Sequence, residues 1–333
     1  MIRVLSLAAA GAGADRCVFP TEPRAPLQAS VVAGAARPSA RRGSIDARRG
    51  SIEANHKTGT YLAACLARVV KNNVQLHSMH TSGNYVAGKR YLVLTRDPFV
   101  LVDSAYRYHK RGVEAWTKPR QPGNRNHTSQ GHAEAFRDYS RLREACAPTL
   151  PALEDESYAA ALARLPLEAG LVLEALRSLH RDVPYVVASA EACAKVETCA
   201  SVPLDDVMAN YTAAFPVLAR ALLDLAVPDH AADTRARWLD DRRHAFARLC
   251  DPRRRPEPNA TVTLNARHRV RASRVGHVAS PDDREARPRR LGLVRRIDAL
   301  YLGGELARAN ATVQRLATRV RGDAAPSRVE PGR

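Results

Sequence analysis

The sequence lacks the signatures of several common kinds of site. Its six cysteines form no CxxC pair, which argues against a zinc ribbon or a thioredoxin-like redox site. No stretch approaches the roughly 18–20 apolar residues of a membrane-spanning helix. No metal-ligand spacing is visible, and no GxxxxGK[ST] loop of the nucleoside triphosphatases is present. With aromatics at only 5%, the sequence also offers no evident row of stacking rings for nucleic acid.

Lysine is scarce as well, because only six of the 52 basic residues are lysine and the rest are arginine. The formal net charge is +18 over 333 residues. Arginine binds phosphate and sulfate with a rigid, bidentate fork, so a polyanionic partner is one interpretation. A biased nucleotide composition, which would enrich arginine and alanine together, is the other.

The chain divides into three segments by composition. Residues 1–50 are expected to be a disordered or targeting segment, 51–321 the folded domain, and 322–333 a disordered tail. The apolar start resembles a short signal peptide, while an organelle transit sequence or a plain disordered tail are the rival interpretations. Four Asn-X-Thr sequons would suit a glycoprotein of the secretory pathway, and they stand at Asn126, Asn210, Asn259 and Asn310. We therefore favour the Golgi lumen over the cytoplasm or an organelle, with the compartment left open.

Apolar periodicity predicts strands that alternate with helices. Strands are expected at 52–56, near 74–76, at 91–94 and ending near 202–206, with helices at about 60–72, 98–110, 132–146, 156–164, 167–180, 207–222, 231–249 and 289–320. Residues 184–187 suit a short strand or a loop, and 251–274 a basic loop. The pattern indicates an α/β fold in which a central parallel sheet is flanked by helices.

The first motif is His-Lys-Thr-Gly-Thr at 56–60, between the first strand and its helix. A strand that ends in this sequence brings backbone N–H groups, a helix N-terminus and the Lys57 ammonium around one point. Gly59 allows the backbone to approach an anion closely. The motif therefore predicts a phosphate site, although on its own it is a common pattern.

The second motif follows the buried strand at 91–94. Arg96-Asp97-Pro98 forms a turn there, and Ser104 lies eight residues beyond the arginine. A guanidinium at the strand end and a hydroxyl two turns into the next helix can converge on one phosphate. The rival interpretation is a buried Arg–Asp pair beside a serine that faces the helix.

Together the two motifs resemble those of sulfotransferases that use 3′-phosphoadenosine-5′-phosphosulfate (PAPS), in particular the carbohydrate type. The family's loop is typically Pro-Lys-[Ser/Thr]-Gly-Thr, and His56 replaces the proline here. The resemblance implies a P-loop-like three-layer fold and transfer of a sulfuryl group from PAPS to an acceptor hydroxyl of a carbohydrate. An anionic glycan is the expected acceptor. The resemblance also implies no metal, and cofactor contacts from Lys57, Thr58, Gly59, Thr60, Tyr61, Arg96 and Ser104.

Lys57 is expected to be catalytic, because it can neutralise charge on the departing phosphate. The general base is less evident. His80 is our candidate, with His77 nearby, but the sequence around the family's catalytic histidine is absent, and a surface histidine is an equal alternative. Glu53 or Asp103 could take the proton instead.

Two other functions were weighed against a sulfotransferase. A basic nucleic-acid-binding protein without catalytic activity would explain the charge, but the chain has no recognisable reader motif. A nucleotide kinase with a divergent phosphate loop lacks the Walker context of its lysine. The arginine-rich stretch at 253–274 suits a polyanionic acceptor, the cofactor or a solvated loop.

Overall fold

The chain folds as a mixed α/β protein, composed of a small parallel sheet and many helices. In a computed structural model, the described residues are 31–32, 50–55, 57–70, 74–78, 85–86, 89–112, 114–118, 130–226, 231–251, 261–265, 268–271 and 281–323. Within them no helix is long and apolar enough to cross a membrane.

Eight strands and ten α-helices occur in these described ranges. The strands are β1 (Val31–Val32), β2 (Gly50–Ala54), β3 (Val74–Ser78), β4 (Tyr85–Val86), β5 (Arg90–Thr95), β6 (Cys199–Pro203), β7 (Thr261–Asn265) and β8 (His268–Arg271). The helices are α1 (Thr60–Val70), α2 (Pro98–His109), α3 (Gln130–Ala145), α4 (Tyr158–Arg164), α5 (Leu167–Cys193), α6 (Leu204–Ala209), α7 (Tyr211–Ala226), α8 (Ala232–Leu249), α9 (Pro281–Tyr301) and α10 (Glu305–Asp323).

The main sheet has the strand order β3-β2-β5-β6, and all its pairs are parallel. Ile52 in β2 pairs with Leu76 on one side and Leu92 on the other. The chain therefore leaves β2 in one direction to form β3 and later returns to its other side to form β5. In parallel sheets such a reversal opens a crevice at the carboxyl ends of the two strands, where ligands bind.

Helices pack on both faces of this sheet, as the alternation of its side chains requires. Ile52, Leu92 and Leu94 pack on one face, with apolar residues of α1, α7 and α8. On the opposite face, Tyr91 and Val93 lie in a separate cluster with the end of α5. The expected α/β fold with a parallel sheet is thus confirmed. A third apolar cluster joins α2, α3, α4, α5, α9 and α10 into a helical layer.

Four segments have a secondary structure that differs from the sequence-based expectation. The strand or loop predicted at 184–187 is wrong, since Pro184 lies inside α5. Val183 and Val186 are buried on the same side of that helix, and their packing outweighs the roughly 3 kcal/mol cost of an internal proline. The expected helices at 207–222 and 289–320 are each divided in two, and the loop at 251–274 contains the β7–β8 hairpin.

Two of the disulfides have both cysteines among the described residues, and they connect distant and local parts of the fold. Cys65 in α1 is bonded to Cys250, which follows α8, across a separation of 185 residues. Cys193 and Cys199 are bonded as well, and they close the turn between α5 and β6. Cys146 is disulfide-bonded as well. The first bond fixes the helix that begins at the candidate phosphate loop.

Candidate functional site

The loop between β2 and α1 is a tight turn with two residues at positive φ. Both the backbone N–H and the hydroxyl of Thr58 donate to the Asn55 carbonyl, at 3.0 and 2.9 Å. Lys57 has φ 62° and Gly59 has φ 104°. A side chain at Gly59 would also meet Leu204 at 2.9 Å. The turn leads directly into α1 at Thr60, and the N–H groups of that first turn have no acceptor within the helix.

Arg96 joins this loop to the next two strand ends. Its Nη1 donates to the Lys57 carbonyl at 2.7 Å, and its Nε lies 3.5 Å from Oδ1 of Asp205 in α6. The Asp97 N–H donates to the other Asp205 oxygen at 3.1 Å. The segments after β2, β5 and β6 are therefore held together at the carboxyl edge of the sheet. The sequence-predicted residues Lys57 and Arg96 are in direct contact.

Ser104 lies on α2, which Asp97 caps by accepting from the N–H groups of Phe99 and Val100. The serine is half-buried and lies about 10 Å along the helix axis from its N-terminus. Its neighbour Asp103 is fully buried and accepts from Arg290 of α9 at 2.5 Å. Asp103 is thus occupied in fixing α9 against α2.

Positive charge accumulates around Arg96. Burial lowers the pKa of Arg96, Asp205 opposes this effect, and Arg287 and Arg107 lower the pKa further. Arg287 is exposed on α9, one turn before Arg290. Because these guanidinium groups repel one another, an anion bound among them would be stabilised.

The Lys57 ammonium lies over an aromatic ring. Its Nζ is 2.7 Å from the centroid of the Tyr108 ring, near the end of α2. Burial lowers the pKa of Lys57 to about 7, although the carboxylates of Glu114 and Asp182 oppose the shift. A lysine that loses its proton near neutral pH gains from a nearby anion, since the anion stabilises the ammonium.

A buried charged cluster, which sequence reasoning missed, begins at His109, the residue after Tyr108. Glu174 of α5 lies 2.9 Å from Nδ1 of His109 and accepts from Tyr158 at 2.9 Å and from Arg177 at 2.7 Å. Arg177 is also paired with Asp182. Although burial opposes its ionisation, Arg177 and His109 hold the pKa of Glu174 below its usual value. These residues come from three helices, α2, α4 and α5, so no local pattern could reveal them.

Glu114 extends this cluster toward solvent. Its Oε2 accepts from Trp116 Nε1 at 2.5 Å and lies 3.4 Å from His109 Nε2. The Trp116 ring stacks on His132, with centroids 6.0 Å apart. The side chain of Glu114 is 20% exposed, whereas that of His109 is fully buried.

A second buried carboxylate supports the candidate phosphate loop through hydrogen bonds. Glu53 accepts from Tyr85 at 2.9 Å and from the Ser189 hydroxyl at 2.5 Å, and Asn55 donates to Ser189 at 3.1 Å. Burial raises the pKa of Glu53. Because Asn55 in turn accepts from Thr58, this network determines the shape of the loop. Glu53 and Asp103, our alternative bases, are both buried and both engaged by donors.

The remaining candidate residues lie either near the start of α1 or outside the described residues. Thr58 is buried and Tyr61 half-buried at the start of α1, and burial raises the pKa of Tyr61. His80, our candidate base, lies outside the described residues, and so does His56. Among the described residues no group of three or more His, Cys, Asp or Glu side chains suits a metal ion.

Comparison with known proteins gave no relative. No family model, no curated protein and no solved structure matches the chain.

Proposed function

We propose that the chain is a sulfotransferase, which moves a sulfuryl group from PAPS to an acceptor hydroxyl on a P-loop-like fold. The observation that carries this proposal is the 2.7 Å bond from Arg96 to the Lys57 carbonyl. It joins the two sequence motifs at the point where the strand order reverses, which is the usual ligand crevice of a parallel sheet.

The phosphate loop suits the 5′-phosphosulfate end of PAPS. The first turn of α1 offers N–H groups from Thr60 and Tyr61, and the helix terminus adds partial positive charge. Gly59 keeps the approach to these groups clear, because any side chain there is strained and meets Leu204. Thr58 is turned inward by its two bonds to Asn55, so its role is to shape the loop.

The arginine-rich side suits the 3′-phosphate. Arg96 is held by the Lys57 carbonyl and by Asp205, which leaves its remaining N–H groups to donate. Ser104 supplies a hydroxyl from the next helix, and Arg287 and Arg107 add charge that acts on the same point. A bisphosphate ligand would thus bridge two positively charged regions.

Transfer follows an in-line displacement at sulfur. The acceptor oxygen forms a bond to sulfur while the bond from sulfur to the 5′-phosphate oxygen breaks, and that electron pair remains on the phosphate. The Lys57 ammonium stabilises the departing oxygen. An anionic cofactor next to this buried lysine would keep it protonated at neutral pH, which reverses the effect of burial.

A carbohydrate acceptor and a luminal compartment are the further parts of the proposal. Arg289, Arg295 and Arg296 are exposed on α9, the helix that also carries Arg287, and they suit an anionic glycan. The Cys65–Cys250 and Cys193–Cys199 bonds favour an oxidising compartment such as the secretory pathway.

Transfer of labelled sulfate from [³⁵S]PAPS to a panel of desulfated glycans tests the function. We expect one or more glycans to be labelled by the wild type, and labelling to fall at least about 100-fold in Lys57→Met. Lys195→Met is the matched control, since Lys195 is exposed at the end of α5. A wild type that binds DNA with steep salt dependence but neither binds nor consumes PAPS would instead favour a nucleic-acid-binding protein.

A further inference from the structure

The charged cluster beside Lys57 contains one carboxylate that a substrate can reach. The side chains of Glu174 and Asp182 are fully buried, whereas that of Glu114 is 20% exposed. A group that takes a proton from an acceptor must come within hydrogen-bond distance of it. Of these three carboxylates, only Glu114 meets that requirement.

Lys57 lies over the ring of Tyr108, and Glu114 lies against the residue that follows this tyrosine. The Lys57 ammonium is over Tyr108, and the next residue, His109, meets Glu114 at 3.4 Å. The electrostatic coupling agrees, since Glu114 is the carboxylate that most strongly opposes the lowering of the Lys57 pKa. Burial raises the pKa of Tyr108, and Glu114 adds to that effect. An acceptor bound beside Tyr108 would therefore be close both to a base and to the cation that faces the leaving group.

Two neighbours hold Glu114 in place. Trp116 donates to it at 2.5 Å, and Nε2 of His109 faces it. His109 cannot itself reach an acceptor, because it is fully buried, and its other nitrogen lies 2.9 Å from Glu174. The chain Glu174–His109–Glu114 thus orients the exposed carboxylate from the interior, in the way that a buried acid orients a catalytic histidine.

We propose that Glu114 is the general base of the reaction and that the acceptor hydroxyl binds between Glu114 and Lys57, over Tyr108; this inference rests on the proposed sulfotransferase function. Glu114 takes the hydroxyl proton as the acceptor oxygen bonds to sulfur. The electron pair of the broken sulfur–oxygen bond goes to the 5′-phosphate oxygen beside Lys57. The proton leaves to solvent from the exposed edge of Glu114. His109 acts as a positioning residue.

The test measures two quantities in wild type and in Glu114→Gln. The first is the affinity for 3′-phosphoadenosine 5′-phosphate (PAP), the product without the sulfuryl group. The second is the turnover of [³⁵S]PAPS with a glycan panel, counting label transferred to glycan and to water. Glutamine retains an oxygen that accepts from Trp116, so the fold should persist, and thermal melting checks this. Glu154→Gln is the matched control, because Glu154 is 68% exposed on the surface.

We expect Glu114→Gln to bind PAP at least as tightly as the wild type, and to turn over PAPS about 100-fold or more slowly. The decrease in turnover at low pH, which we expect in the wild type, should be absent from this variant. His109→Gln should lower kcat about tenfold and should shift the pH at which turnover decreases. The KM for PAPS should be unchanged. Unchanged turnover in Glu114→Gln, with PAP still bound, would overturn the inference alone. A wild type that does not bind PAP would overturn the proposed function as well.

Discussion

The guanidinium of Arg96 donates a 2.7 Å hydrogen bond to the carbonyl of Lys57, 39 residues earlier in the chain. Lys57 has φ 62°, a conformation that is strained for any residue with a side chain. The bond from Arg96 stabilises that conformation and orients the loop toward the first turn of α1. Strain of this kind is typical of ligand sites, where the surrounding structure maintains it.

Strain at Lys57 predicts that glycine at this position gives a more stable protein than alanine does. Lys57→Gly should be about 1 kcal/mol more stable than Lys57→Ala, because glycine adopts positive φ without steric cost. Both variants remove the half-buried ammonium, so the difference between them isolates the backbone. Urea unfolding of the two measures it. Equal stabilities would mean that the loop relaxes when the lysine is lost.

Binding of PAP should take up a proton at pH 8. Burial lowers the pKa of Lys57 to about 7, so the free lysine is mostly neutral there, and a bound anion restores its charge. Affinity should therefore fall as pH rises above 7, by up to tenfold per pH unit. Calorimetry in two buffers of different ionisation enthalpy measures the uptake. Lys57→Arg should abolish the proton uptake. Equal uptake in the wild type and in this variant would contradict the account.

Glu53 should make the fold less stable as pH rises. Because burial raises its pKa, the folded protein binds more protons than the unfolded chain between pH 4.5 and the raised value. The free energy of unfolding therefore falls as pH rises through that window. Glu53→Gln removes this contribution. The free energy of unfolding of the variant should therefore increase, relative to that of the wild type, as pH rises. Urea titrations between pH 4.5 and 7.5 measure it, and a pH-independent difference would contradict it.

The two disulfides should contribute unequally to stability. Cys65–Cys250 closes a loop of 185 residues, and Cys193–Cys199 one of six. The chain-entropy model predicts that removing the first pair to alanine costs about 3 kcal/mol more than removing the second. Denaturant unfolding of the two double variants compares them directly. A smaller loss for the long loop would indicate residual structure in the unfolded chain.

Part of this fold could be predicted because its signals are local. The buried run Tyr91–Leu94 and the turns that follow β2 and β5 are contiguous in sequence, and parallel strands bring such turns to one edge. The Lys57–Arg96 contact is a direct result. Pro184 misled the prediction, because tertiary packing of α5 overrides a local helix breaker.

The charged cluster was beyond prediction for a different reason. His109 and Glu174 are 65 residues apart, on two helices whose packing is determined by the apolar residues around them. Each is an ordinary polar residue in its own helix. Only the crossing of α2 and α5 brings them together beside Lys57.

Calorimetric titration of PAP into wild type, Lys57→Gly and Arg96→Ala tests the central claim most directly. Lys195→Gly is the matched control for loss of a charge. We predict one site per chain in the wild type and in the control, and affinity at least about tenfold lower in each site variant, as for loss of a charge-assisted hydrogen bond. No binding by the wild type, or equal affinity in Lys57→Gly, would contradict a PAPS site at this loop.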